Sequence, residues 1–241
     1  MVCLGALLAF SLAICLSRKK KLDAVEFISY GIFLIVAFWL GSIIYKLVFG
    51  IIEDPGDFFA GPFRLKTLVI ENGTSVVGGI LGAILFSVIY LRKVSLPFWQ
   101  TTDIAFMVIP LGQAIGRIGC FLAGCCYGRP TTLFWGVKFP RHLSPVHPTQ
   151  LYEAALNFLN FVFLLRLHKK KKFEGQIFAF YLMYYSIIRF VVEYWRGDEY
   201  RGFLFIGSSP WTSLSIPQFM SIIGFGAGFI IWHYRRRHAP K

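Results

Sequence analysis

Apolar stretches long enough to cross a lipid bilayer recur along nearly the whole 241-residue chain, and no polar block between them could fold as a separate soluble domain. Seven stand out, over residues 2–17, 24–50, 68–91, 98–127, 151–167, 173–195 and 214–234. An open strand cannot satisfy its backbone polar groups in hydrocarbon, so each stretch is expected to be helical. The expected fold class is therefore all-α: one polytopic transmembrane domain, residues 1–241, with seven transmembrane helices. Composition agrees, since only 15% of residues are charged where soluble domains carry about 25%. The first stretch is the marginal one, at about 16 residues.

Basic residues gather between these stretches: Arg18 to Lys21, Arg92 with Lys93, Arg166 with Lys169 to Lys172, and Arg235 to Arg237 with Lys241. If the spans alternate, all of them fall on one face and make up more than half of the 25 Lys and Arg. The positive-inside rule makes that face cytoplasmic, with the N-terminus outside and the C-terminus inside. Topology thus accounts for the net charge of +13, and no nucleic-acid partner is expected. The first stretch has its charges after it and none before, which reads as a signal-anchor and not a cleaved signal. No internal repeat is visible, which disfavours an inverted-repeat transporter of small organic phosphates.

The segment GRIGCFLAGCCYGRPT, residues 116–131, breaks the apolar pattern. A guanidinium inside a span costs at least about 2.5–3.5 kcal/mol, so Arg117 must face a wet cavity, pair with a carboxylate or hold an anion. Gly112, Gly116, Gly119, Gly124 and Gly128 strip side chains from its surroundings, and the spacings Gly112-xxx-Gly116 and Gly124-xxx-Gly128 set small residues on one helical face. An anion site is the favoured reading; plain glycine-mediated packing around an ion-paired Arg117 is the other.

Span six ends in YYSIIRFVVEYWRGDEYRG, where Arg189, Glu193 and Arg196 share one helical face. On the plainest reading Arg189 and Glu193 neutralise each other and Arg196 snorkels to the outer interface. Alternatively, Arg189 joins Arg117, because guanidinium forks bind phosphate oxygens bidentately. In VHPTQLYEAA, Pro148 marks the start of span five and places Glu153 in its first turns, where the helix dipole tolerates a carboxylate. His147 is as much a loop residue as a proton carrier, and Asp103 offsets the charge of a cytoplasmic loop. No G-x-S-x-G and no H-E-x-x-H is present. Cys120, Cys125 and Cys126 are separated by five and one, unlike structural zinc sites, and are read as small packing residues with no metal expected.

GRIGCFLAGCCYGRPT, HPTQLYEA, RFVVEYWRGD and SIPQFMS follow one another in an order that resembles the prolipoprotein diacylglyceryl transferase family, and VVGGILGA resembles its glycine-rich turn into the third span. The resemblance covers nearly the whole chain. It implies a multi-pass enzyme of the bacterial cytoplasmic (inner) membrane whose site opens toward the outer face and the lipid. Such an enzyme moves the diacylglyceryl group of phosphatidylglycerol onto the lipobox cysteine thiol of a preprolipoprotein signal peptide, giving a thioether and glycerol phosphate without a cofactor. On this resemblance Arg117, Arg189 and Glu193 are the catalytic residues, and Arg117, Gly116, Gly119, Cys120, Gly128 and Arg196 bind the phospholipid. Asp103, Gly78, Gly79, His147, Gln150, Tyr152 and Glu153 support them.

Three departures from the family pattern stand out. Val77 occupies the position before Gly78-Gly79 where a histidine or tyrosine is frequent, which leaves Glu193, His147 or solvent as the base. Cys120 and Cys125 replace an asparagine and an acidic residue of other members. A tyrosine-bearing stretch before the first span is missing, as if the chain began inside that helix. The competing expectation is a non-catalytic paralogue that binds or moves anionic phospholipid.

Overall fold

The computed structural model describes residues 2–20, 22–53, 76–94, 96–140, 143–197, 203–205 and 213–239. These residues form seven α-helices: α1 (Val2–Lys19), α2 (Ala24–Glu53), α3 (Val76–Lys93), α4 (Phe98–Leu122), α5 (Thr149–Lys169), α6 (Gln176–Val192) and α7 (Ile216–Arg237). A 3-10 turn, Glu193–Trp195, continues α6, and a two-stranded ribbon pairs β1 (Phe203–Phe205) with β2 (Leu214–Ser215). Among the described residues the regular structure is helical apart from that ribbon and three isolated β-bridges. Among the described residues four segments are long and apolar enough to cross a membrane: Ala24–Val48, Phe98–Leu122, Gln176–Trp195 and Ile216–Arg237.

The chain divides into two compact units, residues 17–98 and residues 1–16 with 99–241. In the first, α2 and α3 touch backbone to backbone. A Cβ on Gly41 would fall 2.5 Å from the Gly78 carbonyl and 2.8 Å from Gly82 Cα. Gly79 faces the Phe38 ring in the same seam, so the GG-xx-G pattern of α3 is a close-packing device. Tyr30, Leu91 and Leu96 form the buried centre of this unit.

The second unit is built on Met107 of α4, Leu164 of α5, and Ile177 and Tyr181 of α6, with Leu16 of α1 packed against them. Gly5 of α1 lies against the Gly112 carbonyl of α4, and Gly228 of α7 lies against the Ala179 carbonyl of α6. The outward faces carry many exposed apolar side chains, among them Leu159, Ile187, Ile222, Phe229 and Ile230. On a soluble surface such contiguous apolar area would drive association; toward acyl chains it matches its solvent.

Polar residues concentrate at the two ends of this second unit. At one end Asp103, fully buried, pairs with Lys171 at 3.1 Å and accepts from the backbone N–H groups of Gly175 and Phe178. It therefore caps the start of α6 from a neighbouring helix, satisfying donors that a helix N-terminus leaves open. The expectation that Asp103 offsets loop charge holds through Lys171, and the capping comes in addition. Glu174 also pairs with Lys171, and Arg235 of α7 donates to the Glu174 carbonyl and stacks 4.9 Å over Trp99.

Three boundaries differ from the sequence expectation. The fourth span was expected to run to residue 127, but α4 stops at Leu122. Gly124 takes φ +66°, its N–H donates to the Phe121 carbonyl, and the N–H of Cys125 reaches back to the carbonyl of Cys120. That is a Schellman stop, and it removes Gly124 and Gly128 from any shared helical face. Arg196 is not on a continuous helix with Arg189 either, since the 3-10 turn precedes it and its own backbone is extended. The VVGGILGA segment is helical from Val76, not a turn; the preceding part of the third expected span lies outside the described residues.

Candidate active site

At the other end of the second unit, the C-terminal part of α4, the first turns of α5, the end of α6 and the start of α7 converge. The capping of each element explains how. The HPTQ sequence ends a loop that is stitched down by backbone pairs: Gly128 N–H to His147 O, His147 N–H to Arg129 O, and Arg129 N–H to Trp195 O, all 2.8–2.9 Å. That loop delivers Glu153 one turn into α5. On the far side, Ser215 caps α7 in a reciprocal capping box with Gln218, and the same Ser215 hydroxyl donates to Glu193 at 3.2 Å.

Glu153 is the hub. Its side chain is 5% exposed and takes Arg117 on Oε2 and Arg189 on Oε1, the latter at 2.8 Å, with Arg196 3.7 Å from Oε1. Arg189 forks: its second terminal nitrogen lies 3.0 Å from Glu193 Oε2. Three guanidiniums and two carboxylates so placed carry a formal surplus of one positive charge. Burial of these charges is tolerable only because each is paired. Arg196, which on the plainest reading snorkels outward, is instead buried, and Arg129 donates to its carbonyl at 3.0 Å.

Beside this cluster lies a cavity of about 380 Å³ lined by Ala6, Gly112, Gln113, Gly116, Arg117, Cys120, Glu153, Asn157 and Tyr185. A Cβ on Gly116 would meet nothing within 4 Å, so its missing side chain is open space. The side-chain oxygens of Gln113 and Asn157 are buried without a hydrogen-bond partner among the described residues.

The remaining residues singled out in the sequence take other places. Gly119 is a helical residue of α4 outside the cavity lining. Gly128 is likewise apart from it: a Cβ there would collide with the Trp195 carbonyl, His147 and Thr149, so its smallness serves the loop's close approach to the end of α6. Gly78 and Gly79 belong to the other unit. Gln150 is buried and donates to the Cys125 carbonyl at 2.6 Å, while Thr149 donates to that of Cys126 at 3.0 Å. Trp135 donates to the Tyr152 hydroxyl at 2.8 Å, and that hydroxyl lies 3.2 Å from His147 Nδ1. Burial lowers the His147 pKa, which suits a neutral ring accepting from Tyr152. Burial, then the neighbouring thiols of Cys126 and Cys120, push the Cys125 thiol up to about 12.

The sequence reading missed the centrality of Glu153, and missed Asn157, Gln113 and Ser215 altogether. Two signals were available: Glu153 and Asn157 are spaced i, i+4 on one face of α5, and Ser-x-x-Gln is a capping signature.

Membrane-length helices around a cavity edged by partly buried arginines paired with buried carboxylates define a polytopic membrane protein with a charged internal site. The chain belongs to the prolipoprotein diacylglyceryl transferase family, which it matches over residues 1–234. It is similar to the phosphatidylglycerol–prolipoprotein diacylglyceryl transferase of Clostridium tetani, with 34% identity over 98% of this chain and 91% of that protein. The enzymes of the same name from Bordetella bronchiseptica (32%, covering 95% and 88%) and Finegoldia magna (31%, covering 96% and 87%) are similar over comparable lengths.

Proposed function

We propose that this chain transfers the diacylglyceryl group of phosphatidylglycerol to the lipobox cysteine thiol of a preprolipoprotein, as the names of its relatives indicate. The observation that carries the reading is the convergence of Arg117, Arg189 and Arg196 on Glu153 at the cavity wall. A surplus of one positive charge suits a phosphodiester monoanion. As the glyceryl carbon–oxygen bond breaks, the leaving glycerol phosphate gains a second negative charge, so the arginines hold the transition state more strongly than the ground state. Arg117, with its side chain 25% exposed, receives the phosphate, and Arg189 and Arg196 stabilise the growing charge from behind Glu153.

The substrate supplies the nucleophile. Glu153, the one carboxylate among the described cavity-lining residues, accepts the thiol proton. The sulfur then attacks the glyceryl carbon, a carbon–sulfur bond forms, and the electron pair of the broken bond leaves on the phosphate oxygen. The proton passes from Glu153 to solvent. The unpaired oxygens of Gln113 and Asn157 accept from the head-group hydroxyls.

The topology belongs to the same proposal. Seven spans, with the basic loops cytoplasmic in a bacterial inner membrane, set the Arg117 end outside, opposite the end that holds Asp103 and Lys171. Purified protein in detergent, given labelled phosphatidylglycerol and a lipobox peptide, should form thioether product that is lost in Arg117→Ala. Lipid bound without product in the unmodified chain would sink the reading and leave a binding protein. Glu153→Gln should retain lipid binding and lose turnover.

A further inference from the structure

The Schellman stop that ends α4 does more than terminate the helix. Such a motif brings its C3 and C″ side chains together, and here those positions are Cys120 and Cys125. Cys126 follows in the left-handed region at φ 62°, an uncommon conformation for a residue with a Cβ, and this turns its side chain back toward the other two. The three sulfurs lie within 4.8 Å of one another, and those of Cys125 and Cys126 are 3.7 Å apart. The spacing of five and one, which matches no linear zinc pattern, is therefore a compact three-sulfur cluster in space.

We propose that Cys120, Cys125 and Cys126 form a three-thiolate binding site for a soft monovalent metal ion of the copper(I) class. A metal–sulfur bond of about 2.3 Å in a trigonal arrangement needs sulfurs about 4.0 Å apart, which sulfurs already within 4.8 Å of one another reach by shifts of under about an ångström. Among the described residues the cluster offers three sulfurs and no histidine or carboxylate. Zinc favours four ligands in a closed site, whereas three soft thiolates with no fourth ligand suit the lower coordination number of copper(I).

The backbone under the cluster is pinned. Gln150 and Thr149, both buried, hold the carbonyls of Cys125 and Cys126, so the turn is held in place before any ion arrives. Binding is an exchange without electron transfer: three sulfur–hydrogen bonds give three metal–sulfur bonds, and three protons leave to solvent. The resulting centre has a formal charge of −2 and sits on the cavity wall that Cys120 shares with Arg117, which favours it electrostatically.

The test uses full-length protein, reduced and anaerobic in detergent, titrated with copper(I) against the chromophoric chelator bicinchoninate. One ion per chain is expected to be withdrawn from the chelator. Cys120→Ser, Cys125→Ser and Cys126→Ser should each weaken binding by about 100-fold or more, with Cys15→Ser unchanged. Should a serine variant fold poorly, thiol alkylation read by peptide mass keeps the question open to refutation. Copper(I) on the unmodified chain should then protect Cys120, Cys125 and Cys126 and leave Cys15 reactive. Failure to compete with the chelator, affinity indifferent to all three serine substitutions, equal alkylation with and without copper(I), or tighter retention of zinc(II) would each overturn the assignment.

Discussion

Replacing Arg189 by lysine separates charge from geometry at the hub. Arg189 contacts Glu153 at 2.8 Å through one terminal nitrogen and Glu193 at 3.0 Å through the other. A lysine ammonium keeps the charge but is a single point on a shorter stem, so it cannot serve both carboxylates. One of the two charged contacts is lost, which on the scale of a hydrogen bond to a charged group is worth about 1.5–3 kcal/mol. At about 1.4 kcal/mol per tenfold, kcat/KM should fall by roughly 10- to 150-fold in Arg189→Lys. Arg189→Ala removes the electrostatic donor itself and should lose about 10²–10³ or more.

The assay measures initial rates at varied phosphatidylglycerol with a fixed lipobox peptide, and circular dichroism melting of the same preparations separates misfolding from lost catalysis. Thermal loss in Arg189→Lys should be modest, because Glu153 keeps Arg117 and Glu193 keeps the Ser215 hydroxyl. If Arg189→Lys retains unmodified kcat/KM, the fork has no role and only net charge matters. If lysine and alanine variants are equally impaired with normal melting, charge is irrelevant, and the electrostatic account fails.

Gly116→Ala should fold normally, gaining about 0.5–1 kcal/mol of helix propensity, while Gly116→Leu fills the cavity and abolishes transfer; Gly128→Ala should instead lower the melting temperature, because its Cβ meets the Trp195 carbonyl. His147, whose pKa burial lowers, takes up its proton in the unfolded chain first as pH falls below about 6.5, so it makes stability decline with acidification in that window and has no effect above it. His147→Asn should flatten that part of a melting-temperature profile between pH 7.5 and 5, and an unaltered slope would refute the assignment. Asp103→Asn gives up the ion pair to Lys171 and one of two backbone bonds at the start of α6, and should cost about 1–3 kcal/mol in guanidinium unfolding.

Helix existence was legible because bilayer-length apolar runs admit little else, and all seven expected stretches overlap a helix of the described residues. Helix ends were less so. The apolar count carried span four to residue 127, whereas a single glycine in the left-handed region ended it at Leu122. Arg117 and Arg189 stood out because charge in hydrocarbon demands a partner. The partner did not stand out, since Glu153 looked like an ordinary first-turn carboxylate, and only the approach of α4 and α6 to α5 makes it the hub. The cysteines show the reverse: linear spacing argued against a cluster, and the helix stop creates one.

The shape of this site follows from where the nucleophile resides. An enzyme that must generate its own nucleophile needs a base held against a serine or cysteine, and such pairs are recognisable in sequence. In the proposed mechanism the attacking thiol arrives with the substrate, and what remains to the protein is to take its proton on Glu153 and to hold an anion whose charge grows during reaction. A free cluster of three arginines would repel itself and bind any anion tightly in the ground state. Two carboxylates placed among them lower the surplus to one, which keeps the burial of all five groups tolerable and leaves room for the interaction to strengthen as the leaving phosphate charges. On the proposed mechanism the acidic residues are therefore as necessary to the anion site as the arginines. That is why Glu153 sits at the centre and not at the edge.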